Sequence, residues 1–103
     1  MSRLNQLLEM IKNEPNDSFL NYALALEYAK EGDVKKAIDL IEVLLSKDEA
    51  YLGAYYQLGK YYEECQESER AIATYRKGIA ISEKQKNIKA TSELNAALWM
   101  LED

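Results

Sequence analysis

The chain has 103 residues, enough for one domain with a modest elongated core and too few for two. Hydrophobic residues make up 48% of it, yet no apolar run approaches bilayer length, and Arg3, Glu9 and Lys12 interrupt the start in a way a secretory signal would not. A formal net charge of −5 with no basic cluster argues against nucleic acid and anionic membrane as partners, and a single cysteine fits a reducing, cytoplasmic setting.

In chain order, Leu4, Leu7, Leu8 and Ile11 form an i, i+3, i+4, i+7 stripe, which predicts a helix over 2–13 that stops before Pro15. Asp17 is placed to cap a second helix over about 18–30. Glu31, Gly32 and Asp33 make a tight turn in which Gly32 takes the left-handed position and Asp33 caps a helix over about 34–47. Helices near 50–64 and 68–83 follow, with Gln66 at the turn position that Gly32 fills earlier, so that turn is expected to be more strained. In the first of these, Tyr55, Leu58, Gly59 and Tyr62 share one stripe, and a mid-helix glycine marks another helix packed very close. Ser82 to Lys86 is polar, and Asn87 can cap a last helix to about residue 102, with Ala90, Leu94, Ala97, Leu98 and Leu101 as its buried stripe.

A shift of 34 residues superposes the packing positions of two stretches. Tyr22 meets Tyr56, Leu24 meets Leu58, Ala25 meets Gly59 and Tyr28 meets Tyr62. Ala37, Ile38 and Ile41 then meet Ala71, Ile72 and Tyr75. The agreement is confined to positions where packing dictates size, which is what stacked units leave in a sequence.

Period and residues together resemble the tetratricopeptide repeat family, whose unit is a helix–turn–helix with a large aromatic, Leu-Gly, Tyr, a small Ala, an aromatic and a Pro. Tyr55, Leu58, Gly59, Tyr62, Ala71 and Tyr75 fill the second copy, with Gly78 at a later small position. Leu24, Ala25, Tyr28, Gly32 and Ala37 fill the first, although Asn21 stands where the aromatic belongs. The resemblance implies an all-α, α–α superhelical solenoid of six helices: an N-terminal half repeat (2–16), two repeats (18–51 and 52–85) and a C-terminal capping helix (86–103). Glu93 falls under Gly59 in the register and has no room at a close crossing, so the last helix reads as a cap and not as a third repeat.

No motif for catalysis emerges. There is no histidine, so Cys65 has no imidazole partner, and the neighbouring Glu63, Glu64 and Glu67 oppose a thiolate there. That acidic run lacks the alternating ligands and sharp glycine of a calcium loop, and four glycines make no phosphate loop. No enzyme, metal or cofactor is expected. The resemblance implies a non-catalytic module that binds an unidentified protein or peptide on a concave face lined by the first helix of each unit. Its positions are Phe19, Tyr22, Leu26 and Lys30 in one copy, and Gly53, Tyr56, Lys60 and Glu64 in the next. Packing needs only four of the eight tyrosines, Tyr28, Tyr55, Tyr62 and Tyr75, leaving Tyr22, Tyr51, Tyr56 and Tyr61 over. Tyr22 and Tyr56 are expected as neighbours, either covered by the last helix or open as an aromatic patch for a partner. Family members that clamp chaperone carboxylates use cations at positions that here hold Tyr22, Leu26, Gln57, Asn87 and Thr91, so that ligand is not expected. The alternative is a homodimer through the array ends, where Met10, Trp99 and Met100 need cover.

Overall fold

Each helix begins on a residue able to satisfy its free N–H groups, or ends on a turn that satisfies its carbonyls. The computed structural model describes residues 2–102 and contains α1 (Arg3–Asn13), α2 (Ser18–Lys30), α3 (Val34–Lys47), α4 (Leu52–Glu64), α5 (Ser68–Lys84) and α6 (Ile88–Glu102), with no strand among the described residues. Asp17 Oδ1 accepts from the Leu20 N–H at 2.9 Å, Asp33 Oδ1 from Lys36 at 3.1 Å and Asn87 Oδ1 from Ala90 at 3.0 Å, as their positions in the sequence imply.

Three helix ends share one closing pattern. The Asp33 N–H reaches back to the Tyr28 carbonyl and the Gly32 N–H to Ala29. Glu67 and Gln66 repeat this on Tyr62 and Glu63, and Asn87 and Lys86 on Ser82 and Glu83. The residue at the bend has a positive φ each time: +95° at Gly32, 61° at Gln66 and 57° at Lys86. The strain expected at Gln66 is therefore real, because a side chain sits in the left-handed region that favours glycine.

The chain forms two compact units, one running to Asp48 and one starting at Glu49. In the first, α2 packs on both α1 and α3. Leu7 of α1 joins Leu20, Ala23 and Leu24 in one core cluster, flanked by Leu4, Ile11, Tyr28 and Leu40, while Ala25, Ala37 and Ile41 are fully buried. Leu8 does not belong to the buried stripe. It is 37% exposed, because α1 is covered on one side only and three residues, Leu4, Leu7 and Ile11, span that side. Tyr28 is only half-buried, with the Lys36 ammonium 5.9 Å from its ring centre.

In the second unit α4, α5 and α6 pack on one another. Tyr55, Leu58, Tyr61, Tyr62, Ala71, Tyr75, Leu94 and Ala97 are buried there. Tyr61 thus belongs to the core, although the repeat pattern did not require it. The close approach expected at Gly59 is made by a side chain: the Tyr75 ring lies where a Cβ would be, 2.1 Å from its Cε1. At Gly78 a Cβ would stand 2.7 Å from Tyr55 Cβ and 3.0 Å from Leu94 Cδ1. The Tyr55 hydroxyl donates to the Glu49 carbonyl at 2.7 Å, fixing the ring that lies against Gly78. Ser82, fully buried, donates to the Ile79 carbonyl and meets the Thr91 hydroxyl at 2.6 Å, joining α5 to α6. Arg76 and Glu102 form an ion pair between the same two helices.

Candidate binding surface

On α4, Gly53, Tyr56 and Lys60 follow one another at i, i+3 and i+7 and so share a face. Against the start of that face α6 brings Asn87, Lys89, Ala90, Glu93 and Leu94. A cleft of about 230 Å³ results, walled on the α4 side by Leu52, Gly53 and Tyr56. Gly53, exposed in the first turn of α4, places no side chain in its mouth. Tyr56 is half-buried, its ring centre 6.4 Å from that of Tyr75 beneath and its face 5.5 Å from the Lys60 ammonium. Lys60 also lies 3.8 Å from Glu63. The cleft is therefore aromatic and aliphatic inside, with Lys89 and Glu93 on its α6 rim. Below the roughly 300 Å³ where small-molecule pockets begin, it has room for a side chain of a larger ligand.

The other sequence-derived positions fall as follows. Glu64 is exposed at the last residue of α4 and does not line the cleft. In the first unit, Phe19 is 63% exposed, Tyr22 and Leu26 are half-buried, and Lys30 is exposed at the end of α2. Their i, i+3, i+7, i+11 spacing puts them on one face of that helix. Gln57 and Thr91 are half-buried and Asn87 is engaged as a helix cap, so these positions of the chaperone clamp carry no cation.

Two features escaped the sequence. Glu63, one of the acidic run beside Cys65, is half-buried and accepts the Tyr75 hydroxyl at 2.5 Å. Burial first, and then this bond and the carboxylate's charge, push the Tyr75 hydroxyl far above the ordinary tyrosine range. Nothing in the local sequence pairs two residues twelve apart across a turn. The second is the share α6 takes in the cleft through Lys89, Ala90 and Glu93. Glu93 at the register position of Gly59 was the available signal, since a charged residue there must face outward.

The profile of the tetratricopeptide repeat matches residues 52–85. A tetratricopeptide repeat domain protein from Salinibacter ruber, in its crystal structure, is 40% identical, over 84% of this chain and 96% of the other, with a TM-score of 0.79. The chain belongs to the tetratricopeptide repeat family. A solution structure of such a domain protein from the same organism is 39% identical over 86% of this chain and 90% of that one, with a TM-score of 0.83. A Bordetella parapertussis protein, at 20% identity over 99% of this chain and 89% of its own, shares the fold with a TM-score of 0.86. Among curated proteins no match is found. Tetratricopeptide repeats are protein-interaction units, which sets the class of this one. Among the described residues no helix is long and apolar enough to cross a membrane.

Proposed function

We propose that the protein is a non-catalytic interaction module and that the cleft between α4 and α6 takes an extended segment of a partner protein. The observation that carries this reading is Tyr56. It stands half-buried on the wall of an open cleft, with Tyr75 packed against its ring and the Lys60 ammonium over the ring face. An aromatic ring fixed in advance gives contact area without an ordering cost, the property that makes tyrosine a frequent anchor in interfaces. An apolar side chain of the segment fills the space between Tyr56, Ala90 and Leu94. Lys60 and Lys89 face its carbonyl or acidic groups, and the Glu64 carboxylate at the end of α4 disfavours an acidic residue there. Phe19, Tyr22, Leu26 and Lys30 form a second contact row, on α2 in the first unit.

Peptides selected from a random displayed library, added to isotope-labelled protein, test the proposal. Amide shifts are expected at Gly53, Tyr56, Ala90 and Glu93, with a loss of affinity of about tenfold or more on Tyr56→Ala. Selected peptides that shift only residues on the outer side of α5, such as Ala73 and Ala80, would refute it.

A second reading is self-association. It is favoured by the outer side of α6, where Ile88 is 80% and Trp99 70% exposed.

A further inference from the structure

Helix α6 carries large apolar groups on its exposed side as well as on its packed one. Leu94 and Ala97 face inward, and on the opposite side Ile88, Ser92, Asn95 and Trp99 follow at i, i+4, i+7 and i+11, a single stripe with large apolar groups at its two ends. At 1.5 Å per residue those ends are about 16 Å apart. Beside Ile88, at the corner where α5 turns into α6, lies a cleft of about 490 Å³ lined by Glu83, Lys86, Asn87, Ile88, Thr91 and Ser92. One end of the stripe is thus a projecting indole and the other a hollow.

We propose that two copies of this chain pair through α6, antiparallel about a two-fold axis, the Trp99 indole of each entering the corner cleft beside Ile88 of the other. The proposal sharpens the self-association reading and rests on it. Its ground is self-complementarity, which a two-fold interface demands of a single surface. Setting Ile88 against the second copy's Trp99 sets, by the same axis, Trp99 against its Ile88 and Ser92 against its Asn95. The small polar centre then exchanges hydrogen bonds between a hydroxyl and an amide, while each hydrophobic end is filled. A buried indole N–H needs an acceptor, and Glu83 on the cleft wall supplies a carboxylate. Antiparallel helices also oppose their dipoles favourably. Because knob and hollow lie on one face of one helix, the contact closes at two copies and does not propagate.

Trp99, the single tryptophan, reports on the contact directly. Sedimentation over a wide concentration range is expected to show a monomer–dimer equilibrium, with tryptophan emission moving to the red on dilution. Trp99→Ala and Ile88→Glu should each raise the dissociation constant at least tenfold while leaving in place the thermal melt taken at concentrations where the parent is monomeric, since both side chains are mostly exposed in the monomer. Monomer mass at every concentration, with emission that does not move, overturns the pairing and the self-association reading together. A dimer that persists unchanged in both variants overturns the pairing alone, and places the association on another surface.

Discussion

Gly59 and Tyr75 occupy one space. A Cβ on Gly59 would lie 2.1 Å from Tyr75 Cε1 and 2.4 Å from Cζ, so the ring is there because the glycine has no side chain. One repeat earlier the same two positions hold Ala25 and Ile41, both fully buried. A medium side chain over a methyl has become a large ring over a hydrogen. Gly59→Ala is therefore expected to destabilise by about 1–3 kcal/mol even though alanine is the better helix former. Tyr75→Ile alone loses volume and the bond to Glu63. The double variant recreates the earlier pair and should be more stable than the sum of its parts by roughly 1 kcal/mol or more. Urea melts of the four proteins measure this, and strictly additive losses would mean that the ring simply moves aside.

A second exchange of sizes explains what the sequence left open. Asn21 stands where the repeat pattern wants an aromatic, and its counterpart Tyr55 packs on Gly78, whose own counterpart is Leu44. Asn21 and Leu44 line the same small cavity, so the small and large members have changed places. Helix spans and caps were legible, because each rests on residues close in sequence, and the close approach at Gly59 was legible because a glycine inside a helical stripe announces it alone. Pairs such as Asn21 with Leu44, or Glu63 with Tyr75, were not, since each member looks anomalous until the other is placed beside it. The cleft was half legible: the resemblance to the family singled out Tyr56 on its α4 wall, but its α6 wall depends on where the last helix docks. Leu8 shows the opposite failure, a correct period whose edge residue finds nothing to pack against.

Gln66 carries the backbone strain that Gly32 avoids. Its φ of 61° costs a residue with a Cβ on the order of 1 kcal/mol, part of which glycine returns through a more flexible unfolded chain. Gln66→Gly should therefore raise stability by roughly 0.5 kcal/mol, and Lys86→Gly, at φ 57°, should do the same. Thermal melts that fall in both variants would mean that lost side-chain contacts outweigh the relieved strain.

Alkaline pH should act through Tyr75. Its folded pKa is raised by burial and by Glu63, while the unfolded chain releases the same proton near the ordinary value of about 10. Above that pH the unfolded state binds fewer protons than the folded one, so the contribution of Tyr75 to stability is intact below pH 10 and lost as pH climbs beyond it. The slope is at most about 1.4 kcal/mol per pH unit. Tyr75→Phe has no proton to lose. Near neutral pH it should be the less stable protein by about 1–2 kcal/mol, and the gap should close as pH rises from 10 to 11. Urea titrations at pH 8, 10 and 11 decide it, and two curves that stay parallel would exclude the hydroxyl as the cause.

Tyr56 offers the sharpest separation of stability from binding, provided the right variant is used. Its ring contacts Tyr75 and lies beneath the Lys60 ammonium, so Tyr56→Ala removes packing as well as a cleft wall and is expected to cost about 1–2 kcal/mol. Lys60→Gln removes only a partly exposed cation, one that also sits 3.8 Å from Glu63, and should cost no more than a few tenths of a kcal/mol. Gly53→Glu adds a carboxylate at the cleft mouth, where Gly53 is exposed, and should leave the melt within about 0.5 kcal/mol of the parent. If the cleft holds a partner segment, Gly53→Glu must block it at nearly full stability, and Lys60→Gln must weaken it with a reduced salt dependence. Calorimetric titration of a selected peptide against these two variants gives the answer. Affinity that survives Gly53→Glu unchanged would place the segment elsewhere on the chain, whatever Tyr56→Ala does.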